Sequence, residues 1–168
     1  EYLTYPWMEY FFKEKADQYR RTHLEEGLRV IPYMACVDEF QHEVYAQKMT
    51  DAMERYKLWH SLEEKYMPWR DYAGDVFLEA GGFWMQKQHI FMCPFYYIDY
   101  SLASMGAFEY YIRSLNDREE AWKDYYRLCT MGGSKGYLEL LDEGNLRNPF
   151  SEGTVEGIMK KLRKKIFQ

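Results

Sequence analysis

Tyr96 and Tyr97 lie four and three residues before Tyr100. Residues spaced by three or four share one face of a helix, so the spacing predicts that these phenols point the same way. Pro94 fits the first position of the helix that carries them, where its missing N–H is no loss. His89 precedes that helix across six residues, a gap wide enough to fold back over it. A phenol with a reference pKa of about 10 is a hydrogen-bond donor at neutral pH and can stabilise a developing oxyanion. A histidine beside it can donate to a second carbonyl. The same residues equally make an aromatic core with one satisfied histidine, and spacing alone leaves both readings open.

Other constellations are weaker. Asp38 and Glu39 stand four and three residues before His42, within reach of a shared divalent metal on one helix. A di-iron bundle needs a second Glu-x-x-His, but His23, His60 and His89 have Arg20, Lys57 and Gln86 three places before them. His42-Glu43 opens like His-Glu-x-x-His, yet Ala46 occupies the fifth position. An amphipathic helix with a hydrogen-bonded polar edge accounts for Asp38 and Glu39 more simply. Gly132-Gly-Ser-Lys-Gly136 lacks the spacing of a phosphate loop and reads as a glycine turn. Neither a Ser-His-Asp order nor a GxSxG elbow is present.

The elements that position these residues read as helices. Apolar residues at helical spacing predict a helix over 2–23 with Pro6 near its start, and a second over 24–47 that Gly27 and Pro32 break or kink. Thr50 is the expected cap of a third helix ending near Pro68. Residues 69–82 read as a loop with a helical turn over 76–79, and 83–89 as a further short helix. The tyrosine helix runs to about Ser114, Asn116-Asp117 caps 118–129, Ser134 opens a helix through Leu141, and Thr154 caps a last helix to Phe167. No alternating strand pattern appears, so the fold class is an all-α multi-helix array over 1–168.

Composition narrows the function classes. The chain has 168 residues, 47% hydrophobic, with 22 basic against 27 acidic side chains. A net charge of -5 argues against nucleic acid as partner, because phosphate binding needs a basic footprint. The one basic cluster, Lys160 to Lys165, falls in the last turns of the terminal helix, where cations complement the helix dipole. The longest apolar run is too short to span a bilayer, so neither a membrane partner nor a secretory leader is expected. Three widely spaced cysteines fit no disulfide framework or zinc finger, which favours a reducing, cytoplasmic setting. An opening on Glu1 inside an aromatic-rich segment is expected of a piece of something longer.

Five strings carry a resemblance: Tyr2-Leu-Thr-Tyr-Pro-Trp-Met-Glu9, Ile31-Pro-Tyr33, Val37-Asp-Glu-Phe-Gln-His42, Trp84 with Gln88-His-Ile-Phe91, and Pro94-Phe-Tyr-Tyr-Ile-Asp-Tyr100. Together with Leu128 to Ser134 and Asn148-Pro-Phe150, they resemble the C-terminal part of the oligoendopeptidase F family, among the thimet-oligopeptidase-like zinc metallopeptidases. The resemblance implies a zincin-like helical catalytic domain around a cleft, hydrolysing short peptides with an HExxH helix and a later glutamate on zinc. No HExxH occurs here. The chain would then supply the substrate and oxyanion side, bind no metal itself, and be inactive without the missing N-terminal part of the same protein. By the same resemblance His89 would hydrogen-bond the oligopeptide substrate backbone, and Tyr97 and Tyr100 would contact the scissile carbonyl and neighbouring substrate. Tyr96 lies beside them, after Phe91-Met-Cys-Pro94 where thimet oligopeptidase has a glycine-rich loop. The alternatives are a non-catalytic helical peptide-binding module and a metal-carrying bundle built on Glu39 and His42.

Overall fold

The structure, a computed structural model, describes residues 1–166. Among them every regular element is helical, in agreement with the all-α reading. A 3-10 stretch, Tyr2–Trp7, leads into α1 (Met8–Phe12). Then come α2 (Ala16–Ala46), α3 (Ala52–Tyr66), α4 (Val76–Glu79), a 3-10 turn at Gly82–Gln86, α5 (Gln88–Met92) and α6 (Ile98–Ser114). The chain finishes with α7 (Arg118–Met131), α8 (Tyr137–Glu143) and α9 (Thr154–Ile166).

The chain forms two compact units, residues 27–101 and residues 1–26 with 102–168. In the first, α2 supplies Tyr33, Met34, Cys36, Val37 and Phe40 to a core completed by Trp59, Leu62, Met67, Trp84, Ile90 and Tyr97. Phe40 meets Trp59 edge-on at 5.2 Å between ring centroids and Trp84 at 5.1 Å. The second unit holds two smaller clusters, one around Tyr5, Met8 and Ala16 and one around Tyr110, Leu141 and Leu146.

The first break falls where the pattern did not place it. Lys13 takes φ +50° and a 3-10 turn at Lys13–Lys15 separates α1 from α2. Beyond it α2 runs unbroken for 31 residues through Gly27 and Pro32. A proline inside a helix forfeits one backbone hydrogen bond. Here five buried apolar side chains between Tyr33 and Phe40 hold the following turns in place, and burial outweighs that local cost.

Caps follow the expected chemistry with small shifts. Asp51, not Thr50, caps α3 by accepting from the Glu54 N–H at 3.0 Å. Asp117 does the same for α7 from Glu120 at 3.0 Å. Thr154 is the first residue of α9, and its expected end at Phe167 lies outside the described residues. Among those residues no helix is long and apolar enough to cross a membrane.

Candidate functional site

The expected register of the tyrosines requires one correction. Pro94 does not open the helix; α6 begins at Ile98, and Tyr96 and Tyr97 sit in the turn before it. Phe95 takes φ +64°, a left-handed conformation that no helix can run through. The turn is instead closed by Tyr96 N–H donating to Cys93 O at 3.2 Å and Asp99 N–H to Tyr96 O at 3.0 Å.

The four predicted rings nevertheless converge. His89, at the start of α5, lies 4.9 Å from the Tyr97 ring, 5.9 Å from Tyr100 and 6.2 Å from Tyr96, in the last case nearly parallel. Tyr100 meets Tyr96 at 5.2 Å and Tyr97 at 5.3 Å, both edge-on. Edge-to-face packing satisfies the quadrupoles of such rings and fixes their angles. Tyr97 is the buried member, at 8% exposure, whereas Tyr96 and Tyr100 keep 44% and 39%.

This cluster can donate hydrogen bonds. A hydrogen bond with Tyr96 pushes the Tyr100 phenol above its ordinary value, so at neutral pH it stays protonated. The Nδ1 of His89 is buried and has no hydrogen-bond partner. An orphaned buried nitrogen is costly and uncommon in a core, and the Nε1 atoms of Trp59 and Trp84 share that state.

Several supporting residues escaped the sequence pattern. Tyr33 meets Tyr97 at 5.8 Å, and Lys87 places its ammonium 4.8 Å from the Tyr97 ring and 5.2 Å from the Tyr33 ring. Gln86 donates to the Tyr33 hydroxyl at 3.1 Å. Gln41, 1% exposed, accepts from the Phe95 N–H at 3.0 Å. Tyr33 and Gln41 fall within strings that carry the family resemblance, but spacing assigned neither of them a place at the site, and Gln86 and Lys87 carry no signal beyond their place in a short helix.

The acidic helix edge has other partners. Glu39 accepts from Lys65 at 2.8 and 2.6 Å and from the Tyr66 hydroxyl, which holds its carboxyl below the ordinary range. Asp38 pairs loosely with His42 at 3.5 Å. Both carboxylates are thus engaged within a polar helix edge. Among the described residues no three His, Cys, Asp or Glu side chains are grouped to hold a metal ion.

No family model and no curated protein matches the sequence. Solved structures do. An X-ray structure of an oligoendopeptidase F is 45% identical with a TM-score of 0.95, over 98% of this chain and 29% of the other. The chain matches a segment of that peptidase over nearly its own whole length. PZ peptidase A, solved with an inhibitor, is 44% identical with a TM-score of 0.95, over 99% of this chain and 30% of its own. An oligoendopeptidase F from Bacillus anthracis is 38% identical with a TM-score of 0.80, over 99% of this chain and 26% of its own. The chain spans less than a third of each of these peptidases.

Proposed function

We propose that this chain is the substrate- and oxyanion-side portion, lying toward the C-terminal end, of a metalloendopeptidase that hydrolyses short peptides. One observation carries the reading. Within a segment shared with the peptidases, a histidine whose buried Nδ1 has no partner and two exposed phenols meet around one buried phenol. Donors fixed before the reaction stabilise developing negative charge without reorganising, which is the largest source of rate in many acyl transfers.

In this reading Tyr100 donates its phenol proton to the scissile carbonyl oxygen as charge grows there. Tyr97 is held against it by His89, Tyr33 and Lys87 and contacts the adjoining substrate, with Tyr96 on the outer side. His89 donates to a backbone carbonyl of the bound peptide, which aligns the scissile bond. Among the described residues no three metal-ligating side chains are grouped, and Glu39 is tied to Lys65 and Tyr66. Zinc and its HExxH helix belong, in this proposal, to the remainder of the polypeptide, which also makes the other wall of the cleft. The protein works in a reducing, cytoplasmic compartment, consistent with its three free cysteines.

The test compares this chain with the longer polypeptide that carries it. The chain alone is expected to cleave no quenched fluorescent peptide and to hold no stoichiometric zinc by elemental analysis, while the longer protein does both. Cleavage by the isolated chain would overturn the division of labour. A longer protein that binds peptides without cutting them would replace it with a binding module.

A further inference from the structure

The wall of tyrosines hangs from a turn whose backbone is strained. Phe95 adopts φ +64°, a region that side chains other than glycine, asparagine and aspartate rarely enter. Two kinds of contact hold it there. The carbonyl of the Gln41 side chain accepts from the Phe95 N–H at 3.0 Å, and the Gln41 amide donates to Val37 O at 3.2 Å. The Phe95 ring lies 4.9 Å from His42 and 5.2 Å from Tyr45. Successive positions of α2 therefore grip both the backbone and the ring of one residue. Gln41 is 1% exposed, and a buried amide satisfied on both ends is a rigid strut.

Pro94 and Phe95 are followed at once by Tyr96 and Tyr97. A backbone free to leave φ +64° would swing both rings out of register with His89 and Tyr100. We propose that Gln41 is the positioning residue of the site: its side chain locks the Phe95 turn and so sets the register of Tyr96 and Tyr97 against Tyr100. The role in turnover rests on the peptidase reading above; the lock itself does not.

Two measurements separate the two claims. In this chain labelled with nitrogen-15, the Phe95 amide is expected to be protected from hydrogen exchange, and Gln41→Met to lower that protection about tenfold. Unchanged protection overturns the lock. In the longer peptidase, Gln41→Met is expected to lower kcat on the order of 10- to 100-fold, with KM changed by less than about twofold. Adding Phe95→Gly should restore part of that loss, because glycine takes the left-handed conformation without cost. A purely packing role for Gln41 would make the double variant worse than the single one, and that result overturns the positioning role. Gln41→Asn shortens the arm by one methylene and keeps the amide; it is expected to give the same losses in smaller measure where Gln41→Met does not fold. A wild-type longer protein without turnover would remove the peptidase reading and the catalytic consequence together, while the exchange result would still decide the lock.

Discussion

Tyr33 of α2 meets Tyr97 edge-on, with ring centroids 5.8 Å apart and planes at 81°. Behind Tyr33 stands Arg70, whose guanidinium lies 5.4 Å from the Tyr33 ring and 4.3 Å from Phe83. Arg70 is anchored by the buried carboxylate of Glu63 at 2.9 Å, which also accepts from the Tyr72 hydroxyl at 2.5 Å. The wall of the site is thus braced from a buried ion pair through one tyrosine.

Removing Glu63 should therefore unsettle both core and site. Glu63→Ala leaves the Arg70 cation without its partner and is expected to cost about 3 kcal/mol in urea unfolding. Glu63→Gln, which can still accept from Tyr72, should cost less. Equal stability of all three proteins would show that the pair braces nothing.

Thiol chemistry gives a second check. Burial pushes the Cys36 thiol up to about 12, whereas Cys93 and Cys129 are exposed. The thiolate is the reactive form. A disulfide reagent at pH 8 should label two thiols quickly and the third only as the chain unfolds. Three fast thiols would contradict the packing of α2.

Asp124 is the buried hub of the second unit. Desolvation raises its carboxyl, but hydrogen bonds from Arg113 and Asn145 outweigh it and hold the group below its ordinary value. A folded-state pKa below the unfolded one gives stability that is complete above about 4, the unfolded value, and is lost as pH falls through the folded value. Asp124→Asn should cost about 1–3 kcal/mol at pH 7 and flatten the acid limb of the stability curve. An unaltered acid limb would assign the effect to other carboxylates.

Gly81 sits at φ +96°, and a Cβ there would stand 2.1 Å from the Tyr56 carbonyl oxygen. Gly81→Ala is expected to destabilise by more than about 1 kcal/mol, because neither the angle nor the space admits a methyl group. Differential scanning calorimetry reads this directly, and an unchanged Tm would mean that the turn relaxes freely.

Much of this was legible in the sequence. Helix periodicity and capping residues placed α3, α4, α6 and α7 within a few residues, because those signals are local. The convergence of His89, Tyr96, Tyr97 and Tyr100 was also expected, though from a continuous helix that does not exist. The tyrosine register failed because Phe95 adopts a conformation its residue type disfavours. What stabilises it is Gln41, 54 positions away along the chain. The persistence of α2 through Pro32 failed for a similar reason, since burial of its later turns is a tertiary effect. Glu39 and His42 shared a helix edge as spacing required, but Lys65 and Tyr66, on another helix, took up the Glu39 carboxylate.

The most direct measurement of the proposed function is peptide turnover by a longer polypeptide that contains this chain, carrying Tyr100→Phe or His89→Ala and set against wild type. Loss of one oxyanion donor typically costs about a hundredfold or more in kcat, and that is the expected result for Tyr100→Phe. His89→Ala should cut kcat/KM through lost alignment of the substrate backbone. Unchanged turnover in both variants would contradict the assignment of this wall to the reaction.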